Sequence, residues 1–255
     1  MTVRFSVFFV PSPVNLGNIP GMKEKIEDLN RKYMTSSPEH VLEVFAEEYN
    51  GLIAFATSLG AEDQVIAHMI SGNEKKVRIF TIDTGRLFQE TYDLIQITNS
   101  KFGPGIQVYF PSAAGVEEMV NQKGINLFFE SIENRKHCCH IRKTEPLKRA
   151  LAGMKVWITG LRRDQSVTRS KRELVEWDET NGLLKLNPLV DWSTEQVWTF
   201  IKQHKIPYNP LHDLGYPSIG CQPCTRAIKN GEDIRAGRWW WELPQNKECG
   251  IHPEN

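Results

Sequence analysis

The chain has 255 residues, 40% of them apolar, enough for one large domain with a buried core. Lys+Arg and Asp+Glu both number 31, so nothing global points to nucleic acid or to a membrane surface as a partner. The apolar run FSVFFV at 5–10 is too short for a secretory core or a membrane span, and a cytoplasmic location is expected.

Residues 1–20 carry three prolines and no helical spacing, so an irregular start is expected, within an N-terminal extension over 1–35. GMKEKIEDLNRKY (21–33) reads as a helix. So does SSPEHVLEVFAEEY (36–49), where Ser36 or Ser37 can cap, Pro38 suits the first turn, and Val41, Leu42, Phe45 and Ala46 form an apolar stripe. GLIAFATSLG (51–60) reads as a buried strand running into a loop, and AEDQVIAHMI (61–70) as the helix after it. KVRIFTIDTG (76–85) is a second strand, RLFQETYDLIQITNSKFG (86–103) a helix, IQVYFPS (106–112) a third strand and AGVEEMVNQKG (114–124) a helix. KTEPLKRALAG (143–153) is helical and KVWITGLR (155–162) is a fourth strand. LVEWDETNGLLKLNPLV (174–190) alternates around Asn181-Gly182 as a hairpin does, and DWSTEQVWTFIKQHKI (191–206) is a helix with Ser193 and Gln196 spaced as a capping box.

Strands alternating with helices predict an α/β fold, a mainly parallel sheet flanked by helices. Past Ile206 the Pro/Gly-rich chain is expected to fold over the sheet. The expected organisation is an extension at 1–35, an α/β domain at 36–230 and a cysteine-bearing tail at 231–255.

In such sheets ligands bind beyond the carboxyl ends of the strands. Three strand ends here suit an anion. ATSLGAED offers Thr57, Ser58 and Gly60 between a strand and a helix start; TIDTGRL offers Asp83, Thr84, Gly85 and Arg86; ITGLRRDQSVTR offers Gly160, Arg162, Arg163, Gln165, Thr168 and Arg169. Ordinary turns are the competing reading of each loop alone. Neither G-x-x-x-x-G-K-[ST] nor G-x-G-x-x-G occurs.

The five cysteines are clustered as an adjacent pair, Cys138 and Cys139, a C-x-x-C, Cys221 and Cys224, and the solitary Cys249. An odd number argues against a simple disulfide framework and, in a reducing compartment, for metal binding plus a reactive thiol. Four thiolates could hold a structural zinc. Adjacent side chains diverge, however, which fits one tetrahedral ion poorly and suits the separate iron corners of a cubane better. Cys249 is left over. It is either an idle thiol on a frayed tail or a nucleophile whose pKa is lowered by cations such as Lys247, His252, Arg235 and Arg238.

HCCHIRK, CQPCTRAI, RAGRWWWE and KECGIH together resemble the cluster-containing assimilatory adenosine 5′-phosphosulfate (APS) reductases of the APS/PAPS reductase family, over about residues 53–252. The resemblance implies a fold like the adenine-nucleotide α-hydrolases. It implies a 4Fe-4S cluster on Cys138, Cys139, Cys221 and Cys224, and Cys249 as nucleophile. TSLGAED would be a modified phosphate-binding loop, DTGRL would hold the ribose and adenine side, and GLRRDQSVTR would supply Arg162 and Arg163. Lys143, Arg235, Arg238 and His252 would line a phosphosulfate pocket. The implied reaction reduces APS to sulfite and AMP through an S-sulfocysteine, with thioredoxin or glutaredoxin as reductant. The ATP-pyrophosphatase loop S-G-G-x-D-S is replaced by TSLGAED, which disfavours an adenylating or tRNA-thiolating enzyme. A PAPS reductase, a dual-specificity enzyme and a non-catalytic redox sensor are the alternatives, and the oligomeric state, a homo-oligomer included, is left open.

Overall fold

The computed structural model describes residues 21–71, 76–103, 105–165 and 169–243. Among them a six-stranded sheet runs in the order β3-β2-β1-β4-β6-β5. The strands are β1 (Ile53–Ala56), β2 (Val77–Ile82), β3 (Gln107–Tyr109), β4 (Val156–Ile158), β5 (Val175–Asp178) and β6 (Leu183–Leu186). All neighbours are parallel except β5 and β6, the hairpin expected around Asn181-Gly182.

The helices are α1 (Met22–Tyr33), α2 (Pro38–Glu48), α3 (Ala61–Met69), α4 (Gln89–Phe102), α5 (Ala113–Lys123), α6 (Ile132–Cys139), α7 (Glu145–Leu151) and α8 (Thr194–Gln203). Ser37 caps α2 through the His40 amide, Pro38 stands in its first turn, and Val41, Leu42, Phe45 and Ala46 are its buried stripe. The Ser193–Gln196 capping box opens α8. The helix at the start of the described chain lies on the body: Tyr33 is in the core, and Asn30 bonds the Val175 backbone in both directions.

Strand alternation builds two cores. Ile53 and Phe55 of β1 and Val156 and Ile158 of β4 face the cluster made with α2, α3 and α8. Ala54 and Trp157, one residue out of step, face the opposite cluster with Leu147, Ala150 and Leu151 of α7. A third, smaller cluster gathers the four described cysteines with Met119, Leu127, Phe128 and Trp239.

The cysteine pair sits on an element that periodicity does not reveal. Helix α6 has no apolar stripe at helical spacing; its cue is Ser131, whose hydroxyl accepts the Asn134 amide as an N-cap. His140–Thr144 then forms a π-helical turn into α7. Pro146 stands in the first turn of α7 and lacks the amide that Arg142 O would otherwise accept, which explains the widened turn.

Candidate functional site

β1 lies between β2 on one side and β4 on the other, so connections leave it in both directions and a crevice opens at the carboxyl ends of β1 and β4. A cavity of about 280 Å³ occupies that crevice. Its walls include Ala56, Thr57 and Ser58 after β1, Thr81 and Ile82 of β2, and Thr159, Gly160 and Leu161 after β4.

The loop at 57–60 is held tightly. Ser58 donates both its amide and its hydroxyl to Asp63 Oδ2, at 2.5 and 2.7 Å, and the Leu59 amide bonds Thr57 Oγ1 at 3.1 Å. Leu59 takes a left-handed φ of 62°, a strained conformation for a branched side chain. Gly160 is required beside it: a Cβ there would stand 2.2 Å from Asp63 Oδ1. Asp63 is buried, and burial pushes its carboxyl up to about 7 against the two Ser58 hydrogen bonds.

The cavity lining is also basic: Lys143, Arg235 and Arg238 contribute to it, and Arg169, bonded to Gln165, adds a cation on the Gly160 side. Gly220 lets the Arg238 guanidinium approach closely, since a Cβ would lie 2.3 Å from Nη2; Arg238 also donates to Ile219 O at 3.1 Å and stacks on Trp239. Trp239, next to it, has a φ of 40°, a strained value for a non-glycine residue.

Behind that wall lies a smaller cavity lined by Cys138, Cys139, Cys221 and Cys224, with Arg86, Arg135, Arg142, Phe128 and Trp239. Lys143, Cys221 and Trp239 line both spaces, so the cysteine site and the main cavity share a partition. None of these four cysteines is in a disulfide, all are buried, and Cys221 Sγ lies 3.2 Å from Thr84 Oγ1. Burial raises the Cys138 thiol, with Arg142 opposing, and pushes Cys224 up to about 12, helped by Cys221. Among the described residues no three His, Cys, Asp or Glu side chains form a set for a single metal ion. The donor set nevertheless suits a thiolate-ligated group larger than one ion: four cysteines from two segments around one space, with cations beside them and the Trp239 Nε1 donor unpartnered among the described residues.

The residues proposed from the sequence divide clearly. Thr57, Ser58, Gly60, Thr84, Lys143, Gly160, Gln165, Arg235 and Arg238 are brought together around the main cavity. Asp83, Gly85, Arg86, Arg162 and Arg163 are not among its lining residues. Asp83 accepts the Gly85 amide and the Tyr92 hydroxyl, which shapes the loop. Arg86 binds the Ile125 carbonyl and lies over Phe128, on the cysteine side. Arg162 is 1% exposed; its guanidinium clamps Glu62 Oε1 at 2.9 and 2.8 Å and reaches Trp192 O and Thr194 Oγ1. Arg163 donates to Arg172 O and pairs with Asp191. Cys249 and His252 lie outside the described residues. Asp63, Trp157 and His212 line the cavity and were not singled out by sequence; they sit in a helix, a buried strand and a short 3-10 turn, where none of them stands out from its neighbours.

A family model for the phosphoadenosine phosphosulfate reductase domain matches residues 52–227, the segment that builds the sheet and both cysteine pairs. The chain belongs to the phosphoadenosine phosphosulfate reductase family. Relatives within it include the adenosine 5′-phosphosulfate reductase of Allochromatium vinosum, 56% identical over 78% of each chain. That of Neisseria meningitidis serogroup A is 43% identical over 94% of this chain and 95% of its own. Among solved structures, a phosphoadenylyl-sulfate reductase from Candida auris in a phosphate complex superposes with a TM-score of 0.71 at 31% identity, covering 82% of this chain and 99% of that one. Candida glabrata FMN adenylyltransferase, at a TM-score of 0.52 and 17% identity over 93% of this chain and 78% of its own, shares the fold. The sheet expected from the sequence, adenine-nucleotide α-hydrolase-like in type, is thus the fold of this family member.

Proposed function

We propose that the protein reduces adenosine 5′-phosphosulfate to sulfite and AMP in sulfate assimilation, in the cytoplasm, with a dithiol protein of the thioredoxin or glutaredoxin type as reductant. The observation that carries this reading is the shared partition: a nucleotide-sized cavity whose basic end abuts a four-cysteine site. The names of the relatives, adenosine 5′-phosphosulfate reductases at 43–56% identity, support the same substrate.

The apolar walls formed by Ala56, Phe80, Ile82, Leu147 and Trp157 suit a base, and the cationic end suits the phosphosulfate. Lys143, Arg235 and Arg238 offset the ligand's negative charge and hydrogen-bond the phosphate that leaves, with His252 assigned to the same group. Cys249, as thiolate, attacks the sulfate sulfur; the bond from sulfur to the bridging oxygen breaks, and AMP departs with that electron pair. A thiolate of the reductant then attacks Cys249 Sγ and sulfite leaves. The reductant's second thiol resolves the mixed disulfide, returning Cys249 to a thiol and leaving the reductant oxidised.

Cys138, Cys139, Cys221 and Cys224 would hold a 4Fe-4S cluster. When bound, such a group supplies local charge and rigidity beside Lys143, and the two steps above need no electron from it.

Incubation with APS and no reductant should add one SO3 group to Cys249, read by peptide mass spectrometry. Cys249→Ser should retain a chromophore near 400 nm but form no sulfite; normal turnover by that variant would overturn the nucleophile assignment. The Candida auris neighbour makes the 3′-phosphorylated substrate the second reading, and comparing turnover on the two nucleotides decides between them.

A further inference from the structure

Two exposed aromatic rings from distant segments meet beside the cysteine site. Phe129 ends the 3-10 turn Leu127–Phe129 and is 45% exposed; Trp240 follows Trp239 on the C-terminal arm and is 40% exposed. Their rings stand edge to face at 6.3 Å, and Trp241 touches both, at 4.4 Å from Phe129 and 4.7 Å from Trp240. Trp241 also packs on the cluster that holds the four described cysteines. Leu243, two residues on, is more exposed still. Large apolar groups gathered at a surface mark a place that a partner covers.

The patch is held rigidly. Phe128 is buried beside Phe129, the Trp239 amide bonds Cys224 O, and the Glu242 amide turns back to Trp239 O at 2.8 Å. The buried Arg135–Glu242 pair fastens the arm from below. Aromatic rings fixed in this way bind at little cost in entropy, and tryptophan is a common energetic anchor of interfaces.

Position and size name the occupant. Trp239 lines both the main cavity and the cysteine space, and Trp240 is its neighbour on the outside. Cys249 is six residues beyond Leu243 in the chain, so its thiol is tethered within about 20 Å of that residue. A protein whose own thiolate must reach Cys249 Sγ lands on or near these rings. At their exposures Phe129 and Trp240 together offer about 200 Å², against about 800 Å² per partner in a stable complex. That suits a carrier that docks, exchanges and leaves, not a permanent second copy.

We propose that Phe129, Trp240 and Trp241 form the docking surface for the dithiol protein that releases sulfite from Cys249, a partner with an apolar surface around its reactive cysteine. The inference rests on the reaction proposed above and gives its reductant a place to land.

The test uses the full chain, incubated with APS and freed of nucleotide. Sulfite release is then followed with reduced thioredoxin or glutaredoxin, whichever acts on wild type, and separately with dithiothreitol. Trp240→Ser and Phe129→Ser should each raise the protein reductant's half-saturating concentration about tenfold or more. Release by dithiothreitol, and the SO3 transfer before it, should stay at the wild-type rate. The small thiol needs no docking surface, so its rate reports the fold and the accessibility of Cys249 in the same sample. Trp240→Phe, which keeps a ring, should recover most of the response. An unchanged response to the protein reductant, or an equal loss with both reductants, would overturn the proposal. Trp240→Ser that sediments as a smaller species than wild type, with wild-type reductant kinetics, would assign the surface to a second copy instead. Failure of wild type to form the SO3 adduct would overturn the reaction on which the proposal rests.

Discussion

Asp63 poses a conflict at the scale of a single residue, because it is a carboxyl group in a cavity assigned to an anion. Its pKa is raised from 3.8 to about 7 because burial outweighs the Ser58 hydrogen bonds. The folded protein therefore holds a proton that the unfolded chain has released over this interval. The stabilisation is complete below the unfolded value and is lost as pH rises through the folded one. Asp63→Asn should flatten the stability profile between about pH 4 and 7, removing a change of no more than about 4 kcal/mol. Urea midpoints across that range measure it. The same proton bears on the ligand. AMP affinity of wild-type protein should fall more steeply from pH 6 to 8 than that of Asp63→Asn, and the difference between the two cancels the titration of AMP itself. Equal slopes would remove Asp63 from the ligand's surroundings.

At the scale of elements, the turn that carries the C-x-x-C also shapes the basic wall of the cavity. Gly220 precedes Cys221, and its missing Cβ is the space that Arg238 occupies. Gly220→Ala should push the guanidinium aside and weaken AMP binding on the order of tenfold, the loss of one charge-assisted contact. Stability should change little, because the displaced group is a side chain and not backbone; calorimetry and thermal melts on the same samples separate the two effects. The same elements show what could be read in advance. Ser37 with Pro38, the Val41–Phe45 stripe and the Ser193–Gln196 box are local signals, and each element formed where they placed it. Helix α6 lacked such a signal because the residues it buries are Arg135, Cys138 and Cys139, which do not read as an apolar face. Arg162 misled for a related reason. Sequence shows a cation after a strand, but only the fold shows Glu62 already facing it. His212 joins the cavity lining from the turn Pro210–Leu214, and no spacing announces it.

The whole molecule is closed by contacts between the C-terminal arm and the cysteine helix. Arg135 of α6 and Glu242 form a doubly hydrogen-bonded ion pair at 2.9 and 2.8 Å, with side-chain exposures of 0% and 3%. The Arg135 guanidinium also lies 4.7 Å from the Trp239 ring, and the Trp239 amide bonds Cys224 O. The pair therefore links both cysteine segments to the stretch that leads toward Cys249. Buried pairs of this kind do not raise stability much over an apolar replacement, but losing one partner strands a charge in a low-dielectric interior. Glu242→Gln should cost on the order of 3–5 kcal/mol, read from guanidinium unfolding followed by tryptophan fluorescence. Adding Arg135→Met to that variant should recover most of the loss, since the stranded cation is then gone. If the pair serves only to hold the fold, the double variant should also recover the rate of SO3 transfer to Cys249. If it sets the position of the arm, stability should return while single-turnover transfer stays slow. The second outcome is expected, because Arg135 and Glu242 fix the relation between the cysteine partition and the stretch that leads toward Cys249, the proposed nucleophile, and an apolar pair supplies no direction to replace the two parallel hydrogen bonds.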